Sequence, residues 1–260
     1  MSSAEAGLSH RAEVMNERDN IVRNLKQLVE LDRAAGMEFI WKDSSATAQA
    51  DTSSARSSTP SKNPVAPVVR ADSLTQIATE IAACHACGLC EGRKTTVPGE
   101  GSERAELLFV GDGPDEQDDA SGRPFVGAAG ELLTKMIEAM GLKRDQVFIT
   151  NVVKCRLPDQ RSPTLSEVNA CQGFLHRQIA RLKPKIICAF GNAPLRALMK
   201  DDTLDISTMR GKKLTFNGMT VIPTYHPRYL QSNPAAKKPC WEDLQLVLKE
   251  LGRELPKRGG

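Results

Sequence analysis

Residues 105–153 read AELLFVGDGPDEQDDASGRPFVGAAGELLTKMIEAMGLKRDQVFITNVV, and the order of patterns inside this stretch decides the fold. An apolar run of strand length, centred on Leu108, breaks at Gly111 into an acidic loop. Leu132, Leu133, Met136, Ile137 and Met140 then recur at helical spacing until Gly141 stops them, and a second β-rich run surrounds Phe148. Strand, helix, strand in that order is a βαβ unit, which implies parallel pairing.

The pattern continues toward the C-terminus with PKIICAFG around Ile187 and MTVIPTYH around Val221. KLTF precedes the last run across a tight Asn217-Gly218 hairpin turn. Between the second and third runs, Thr164 and Glu167 form a T-x-x-E capping box for a helix carrying Val168, Cys171, Phe174, Leu175 and Ile179, and PCWEDLQLVLKEL closes the chain as another helix. The expectation is an α/β fold: three layers, α/β/α, around a central four-stranded, mainly parallel sheet.

Toward the N-terminus the composition changes. Residues 1–42 contain Ile21, Leu25, Leu28, Val29 and Leu31 at near-helical spacing among charges, which predicts an amphipathic helix. Residues 43–72 are rich in Ser, Ala, Thr and Pro with almost no large apolar side chain, so a disordered linker is expected there. The catalytic domain is then residues 73–260. The tethered helix is a candidate to dock on a protein partner or to be a dispensable extension. With no apolar run of bilayer length and no secretory leader pattern, a soluble, cytoplasmic monomer is expected, nucleoid-associated in a prokaryote. The formal net charge of +3 is compatible with a nucleic-acid partner but does not require one.

In doubly wound sheets, ligands collect at the carboxyl ends of the strands. The four runs lead into GDGPDEQDD, TNVVKCRLP, GNAP and YHPRYL. Three of these carry acids, amides, histidine or prolines suited to a polar ligand, while in GNAP Asn192 reads as a helix cap. The seven cysteines are many for a reducing compartment. Cys84 and Cys87 form a C-x-x-C loop, and Cys155 and Cys171 follow later. Four thiolates suit a tetrahedral zinc or a [4Fe–4S] cluster, and spacing does not separate the two. Cys90 is a rival ligand, Cys188 lies in an apolar strand, and Cys240 is either packing or incidental.

Together these pieces resemble the family 4 uracil-DNA glycosylases, the iron–sulfur, thermophile-type branch of that superfamily, from about Ala83 to Leu251. The resemblance is carried by CHACGLCEGRKTTVPGEG, LLFVGDGPDEQDD, GRPFVGAAGELL, FITNVVKCRLP, SPTLSEVNACQGFLHRQI and YHPRYL. It implies a [4Fe–4S] cluster on Cys84, Cys87, Cys155 and Cys171, with Cys90 outside it. It also implies hydrolysis of the N-glycosidic bond of uracil in single- or double-stranded DNA, by base flipping, to leave an abasic site for base excision repair.

On this resemblance Phe125 stacks on the flipped base, Asn151 reads its edge, and His226 donates to uracil O2 as charge develops there. Arg228, Tyr229 and Leu230 lie in the loop that fills the gap in the duplex, and Lys237 and Lys238 meet phosphates. Read alone, a phenylalanine is usually core, a strand-end asparagine usually a turn residue, and a basic turn usually a solvated one.

The first motif departs from the family pattern G-E-(G/A)-P-G-E-x-E-D. Asp112 and Asp118 are each one methylene short, and Asp115 replaces a glycine. Gly113 stands at the substrate where the classical enzymes carry their water-activating aspartate. Asp112 and Asp118 are therefore the candidates to position the water or to lock the loop. The competing readings are a weakened DNA-binding or scaffold module, a glycosylase with a shifted preference among deaminated bases, and a cluster-based redox sensor.

Overall fold

The computed structural model describes residues 72–255. The expected N-terminal helix and all of the expected linker except Asp72 lie outside them. Six strands form one sheet in the order β1-β3-β2-β4-β6-β5: β1 Glu100–Gly101, β2 Leu107–Gly111, β3 Phe148–Asn151, β4 Ile186–Phe190, β5 Leu214–Phe216 and β6 Met219–Thr224. The four expected strands are β2, β3, β4 and β6, and all three pairings among them are parallel. The expected count of four is corrected by an antiparallel strand at each edge. β5 is the first arm of the Asn217-Gly218 hairpin, whose turn residues both have positive φ, 49° and 81°. β1 is two polar residues long, too short for any periodicity to reveal. A side chain at Gly101 would meet the Val147 carbonyl oxygen at 1.9 Å, so that strand pairs closely only because position 101 is glycine.

The helices are α1 Leu74–Ala82, α2 Glu116–Ser121, α3 Ala128–Ala139, α4 Leu165–Leu182, α5 Asn192–Met199, α6 Ile206–Met209, α7 Pro227–Ser232 and α8 Lys237–Glu250. β2 shows how the layers are held. Leu108 and Val110 point into one core with Val168, Leu175 and Ile179 of α4 and Leu198 of α5. Leu107 and Phe109, one residue out of phase, point into the other with Leu133 and Ile137 of α3 and Leu244 and Val247 of α8. Both faces of the strand are buried, as a run covered by helices on both sides requires. Burying one such side chain contributes about 1.5–3 kcal/mol.

α4 opens on the expected Thr164–Glu167 capping box, and Arg177 in its middle bridges Asp72 and Glu80, fixing α1 to the domain. Asn192 does not cap its own helix. Gly191 at φ 87° takes the cap position of α5, and Asn192 Oδ1 instead accepts the Ile206 N–H, the first of α6, at 2.7 Å. Among the described residues no helix is long and apolar enough to cross a membrane.

Candidate active site

Parallel register brings the strand ends together. Gly111 lies opposite Asn151, and Phe190 opposite Thr224, so the residues that follow β2, β3, β4 and β6 share one edge of the sheet. Glycine at 111 makes the approach close. A Cβ there would lie 2.5 Å from both Asn151 Oδ1 and Phe125 Cζ, so these side chains converge on the space a larger residue would fill. Asn151 is fully buried, yet neither its Oδ1 nor its Nδ2 has a hydrogen-bond partner. Leaving a buried amide unpaired costs about 1–3 kcal/mol, so the position invites a ligand that offers one donor and one acceptor.

Phe125 is held in an uncommon backbone state, φ 54°, for a residue with a side chain. The sequence around it supplies the clamp. Asp118 Oδ1 accepts the Val126 N–H at 2.9 Å, Arg144 donates to the Pro124 carbonyl, and Gly130 lets α3 pack against Phe125, whose carbonyl oxygen would lie 1.8 Å from any Cβ there. The Phe125 ring is 6% exposed, meets Phe190 edge-on at 6.2 Å, and stacks on His226 at 5.5 Å and 28°.

His226 caps α7. Its Nδ1 accepts the Arg228 N–H at 3.1 Å, which leaves the single proton of a neutral ring on Nε2. Burial, then the nearby Arg228 charge, pushes its pKa down to about 3. Asp112 faces it across Gly191: a Cβ at 191 would lie 3.5 Å from Asp112 Oδ1 and 3.6 Å from His226 Cβ. That Oδ1 is buried and unpartnered, and burial raises the Asp112 carboxyl to about 7 against a smaller lowering effect of Arg228. At Gly113 a Cβ would stand 2.5 Å from Leu157 and 2.6 Å from Val153, so an aspartate there would have to displace these side chains, and Asp112 is the acid with a buried, unpartnered oxygen at this edge.

The other acids of GDGPDEQDD are engaged elsewhere. Asp115 and Asp118 form a capping box at the start of α2, and both Asp118 oxygens accept backbone N–H groups, from Val126 and, at 3.4 Å, from Asp115. That fits locking the loop, one of the two roles expected for Asp118. Asp119, which sequence reasoning missed, is fully buried and accepts the N–H groups of Lys94 and Thr95 at 2.9–3.2 Å, tying the chain after the C-x-x-C loop to this motif.

In the following loop, Tyr229 is 46% exposed and rests on Tyr225 at 5.1 Å, whereas Leu230 is 2% exposed. Leu230 is therefore corrected from a DNA contact to a core residue, because the α7 turn points it inward. Tyr229 is the apolar group left facing out. Arg228 is half-buried, 3.4 Å from the Gln160 carbonyl, and Lys237 and Lys238 are exposed at the start of α8. A larger groove of about 550 Å³ between the start of α4 and α5 contains none of the unpartnered buried polar atoms, all of which lie at the strand edge.

Five cysteines, Cys84, Cys87, Cys90, Cys155 and Cys171, line one small cavity behind this edge, together with Ile81, Arg93, Lys154 and Phe174. Cys90 thus sits with the expected four. Arg93 donates to Cys155 Sγ at 3.2 Å. Among the described residues no group of three or more His, Cys, Asp or Glu side chains is placed to hold a metal ion. Cys188 is fully buried core, and Cys240 packs with its sulfur 3.3 Å from Thr224 Oγ1.

Between the cavity and Asn151 lies a polar group that the sequence reading passed over. The Lys154 ammonium is buried and bonded to Thr150, Asn151 and Gln178. A lysine following the apolar NVV at a strand end was the available signal.

Comparison with known proteins gives the family of the chain. The family model of the uracil DNA glycosylase superfamily matches residues 98–245. The type-4 uracil-DNA glycosylase of Sulfurisphaera tokodaii is 45% identical over 184 residues, 68% of this chain and 84% of the relative. That of Saccharolobus solfataricus is 43% identical over 188 residues, covering 69% and 87%, and that of Thermotoga maritima 42% identical over 164 residues, covering 62% and 85%. The chain belongs to the uracil DNA glycosylase superfamily, within its type-4 branch.

Proposed function

We propose that this protein hydrolyses the N-glycosidic bond of uracil in DNA, releasing the base and leaving an abasic site for base excision repair. Family membership supports the reaction class. The observation that carries the assignment of the site is the Asn151 amide, buried at the strand edge beside Phe125 with both ends unpaired. Uracil offers O4 as acceptor and N3–H as donor on one edge, which complements an amide. Cytosine presents an amino group and a bare nitrogen there, which the same amide meets only when turned over, so selection for uracil requires the amide held with Nδ2 toward O4 and Oδ1 toward N3–H. A duplex substrate must first extrude the nucleotide, with Tyr229 the apolar group facing the gap and Arg228, Lys237 and Lys238 meeting phosphates.

The chemistry follows from the protonation states. As the C1′–N1 bond breaks, its electron pair passes to the base and spreads onto O2. A neutral His226 with its proton on Nε2 stabilises that charge by hydrogen bonding and does not transfer a full proton. Asp112, ionised as pH passes about 7, orients a water on C1′ and takes its proton as the new C–O bond forms. The departing uracil anion is protonated by solvent. Asp118 acts at a distance by holding Phe125.

The donor set of the cysteine cavity fits a group bound by thiolates: five cysteines line one small cavity, most of the other lining residues are apolar, and Arg93 points a donor at the Cys155 sulfur. Cys84, Cys87, Cys155 and Cys171 would hold a [4Fe–4S] cluster, with Cys90 the rival ligand. Bound there, the cluster supplies a covalent tie between the N-terminal loop, the end of β3 and α4.

The test is incubation of anaerobically purified protein with uracil-containing single- and double-stranded oligonucleotides, followed by alkaline cleavage. Scission at uracil and not at cytosine or thymine is expected. Intact strands in both formats would exclude the assignment.

A further inference from the structure

We infer that Lys154 is a positioning residue for base recognition, holding the backbone of Asn151 so that its amide stays aligned with the edge of the flipped base. The inference rests on the assignment of Asn151 as the base reader. Lys154 is 1% exposed, and each of its three ammonium protons has an acceptor: Thr150 Oγ1 at 2.7 Å, the Asn151 carbonyl at 2.6 Å and Gln178 Oε1 at 2.8 Å. Two of these acceptors are themselves fixed. Thr150 Oγ1 and Gln178 Nε2 both donate to the Pro98 carbonyl, at 2.9 and 2.6 Å.

The lysine backbone is engaged as well, its carbonyl accepting the Val97 N–H at 2.8 Å. None of its side-chain partners is a carboxylate. A buried cation among neutral acceptors is a poor way to gain stability, since an apolar side chain of similar length costs less to bury. What the ammonium gains is a grip on one particular carbonyl.

That carbonyl matters because, among the described residues, no hydrogen bond holds the Asn151 side chain, whose two polar atoms are unpartnered. Its aim depends on its backbone. On one side the sheet fixes the backbone, with Val152 N–H on the Gly111 carbonyl at 2.9 Å. On the other side Lys154 fixes it. Freeing the carbonyl lets the peptide plane rock and the amide lose register with the two base atoms it must meet together.

The test uses the full-length holoprotein with oligonucleotides carrying uracil or N3-methyluracil, the latter lacking the donor that Asn151 reads. Single-turnover excision is measured for both, along with affinity for the uncleavable 2′-fluoro analogues of both. Lys154→Met keeps length and removes the donors. It is expected to slow uracil excision by about tenfold or more, the scale of losing hydrogen bonds to a charged group. It should affect N3-methyluracil much less, so the penalty for methylation shrinks in both rate and affinity. In an Asn151→Ala background it should add little. Gln178→Met, which removes one acceptor on α4, is expected to act in the same direction more weakly and serves if Lys154→Met fails to fold.

An unchanged methylation penalty, or losses that add fully to those of Asn151→Ala, would overturn the inference. Wild-type protein inactive on uracil would instead overturn the functional assignment, and this inference with it.

Discussion

Two sets of buried polar groups lie at the end of β3, in the segments that follow β2 and β3 and in the helices packed there, and they are treated in opposite ways. Behind the sheet edge, Thr150, Lys154 and Gln178 satisfy one another, and Asp118 and Asp119 accept backbone N–H groups. At the edge itself, Asp112 Oδ1 and both polar atoms of the Asn151 amide have no partner. A fold that satisfies its supporting groups so fully can satisfy those three only with something from outside. The contrast separates residues that build the site from residues that use it, and it divides the acids of one motif, GDGPDEQDD, between the two groups. The predictions below remove a member of one set or, last, a charge that acts on the second.

The largest effect is expected at Asp112. Asp112→Asn should lower single-turnover excision by about 10²- to 10⁴-fold, the usual contribution of a positioned acid or base. In wild type the rate should rise with pH through about 7, because burial raises the Asp112 carboxyl to that value, and the variant should lose this limb. His226, depressed to about 3, should add no limb between pH 4 and 9.

Stability should run the other way. A carboxyl whose folded pKa lies above its unfolded value binds its proton more tightly in the folded state, so wild type loses stability as pH rises from about 4 to about 7. Asp112→Asn abolishes that loss, and its advantage in denaturant midpoint should grow across the same window. A variant less stable than wild type at pH 8 would place Asp112 among the supporting groups.

Asn151→Ala should cost about 10²- to 10³-fold in rate, the scale of removing a preorganised donor. Its thermal midpoint should hold or rise, because the amide it removes is unpaired in the folded protein. A fall of several degrees would break the comparison.

The opposite pattern is expected at Asp119. Asp119→Ala strands the Lys94 and Thr95 N–H groups, so stability should fall by about 1–3 kcal/mol in anaerobic urea denaturation, while the rate per folded molecule changes little.

How far the sequence reached divides along the same line. The four central strands, the capping box and the hairpin turn were legible because each is written in local spacing. Phe125, Asn151 and His226 were reached through the resemblance, since no periodicity distinguishes a stacking phenylalanine from a core one. What stayed hidden depends on distant partners. Asp118 and Asp119 look alike in GDGPDEQDD, and only the fold shows that they hold Val126 and Lys94. Lys154 reads as a surface charge until Gln178, on another helix, closes around it. Leu230 was misplaced because the direction in which the α7 turn points a side chain is not written in HPRYL.

The smallest effect tests the one charge that bears on both members of the reacting edge. The Arg228 guanidinium lowers the pKa of Asp112 and also helps to keep His226 neutral. Removing it by Arg228→Gln leaves the Arg228 N–H on His226 Nδ1, because that bond comes from the backbone. The histidine stays oriented while the local field changes. Asp112 then holds its proton to higher pH, so the rising limb of the rate profile should move in the alkaline direction. At pH 6 the variant should be slower by no more than a few-fold, and at pH 9 close to wild type.

If the side chain also meets a phosphate, the slope of log affinity against log salt should shallow by about 0.7–0.9, the value for one phosphate contact. The two readouts separate the two roles. A shifted limb with an unchanged slope makes Arg228 a tuner of Asp112 alone, and a shallower slope with an unmoved limb makes it a DNA contact alone. The second result would also show that the group titrating near 7 is not beside Arg228, and so is not Asp112.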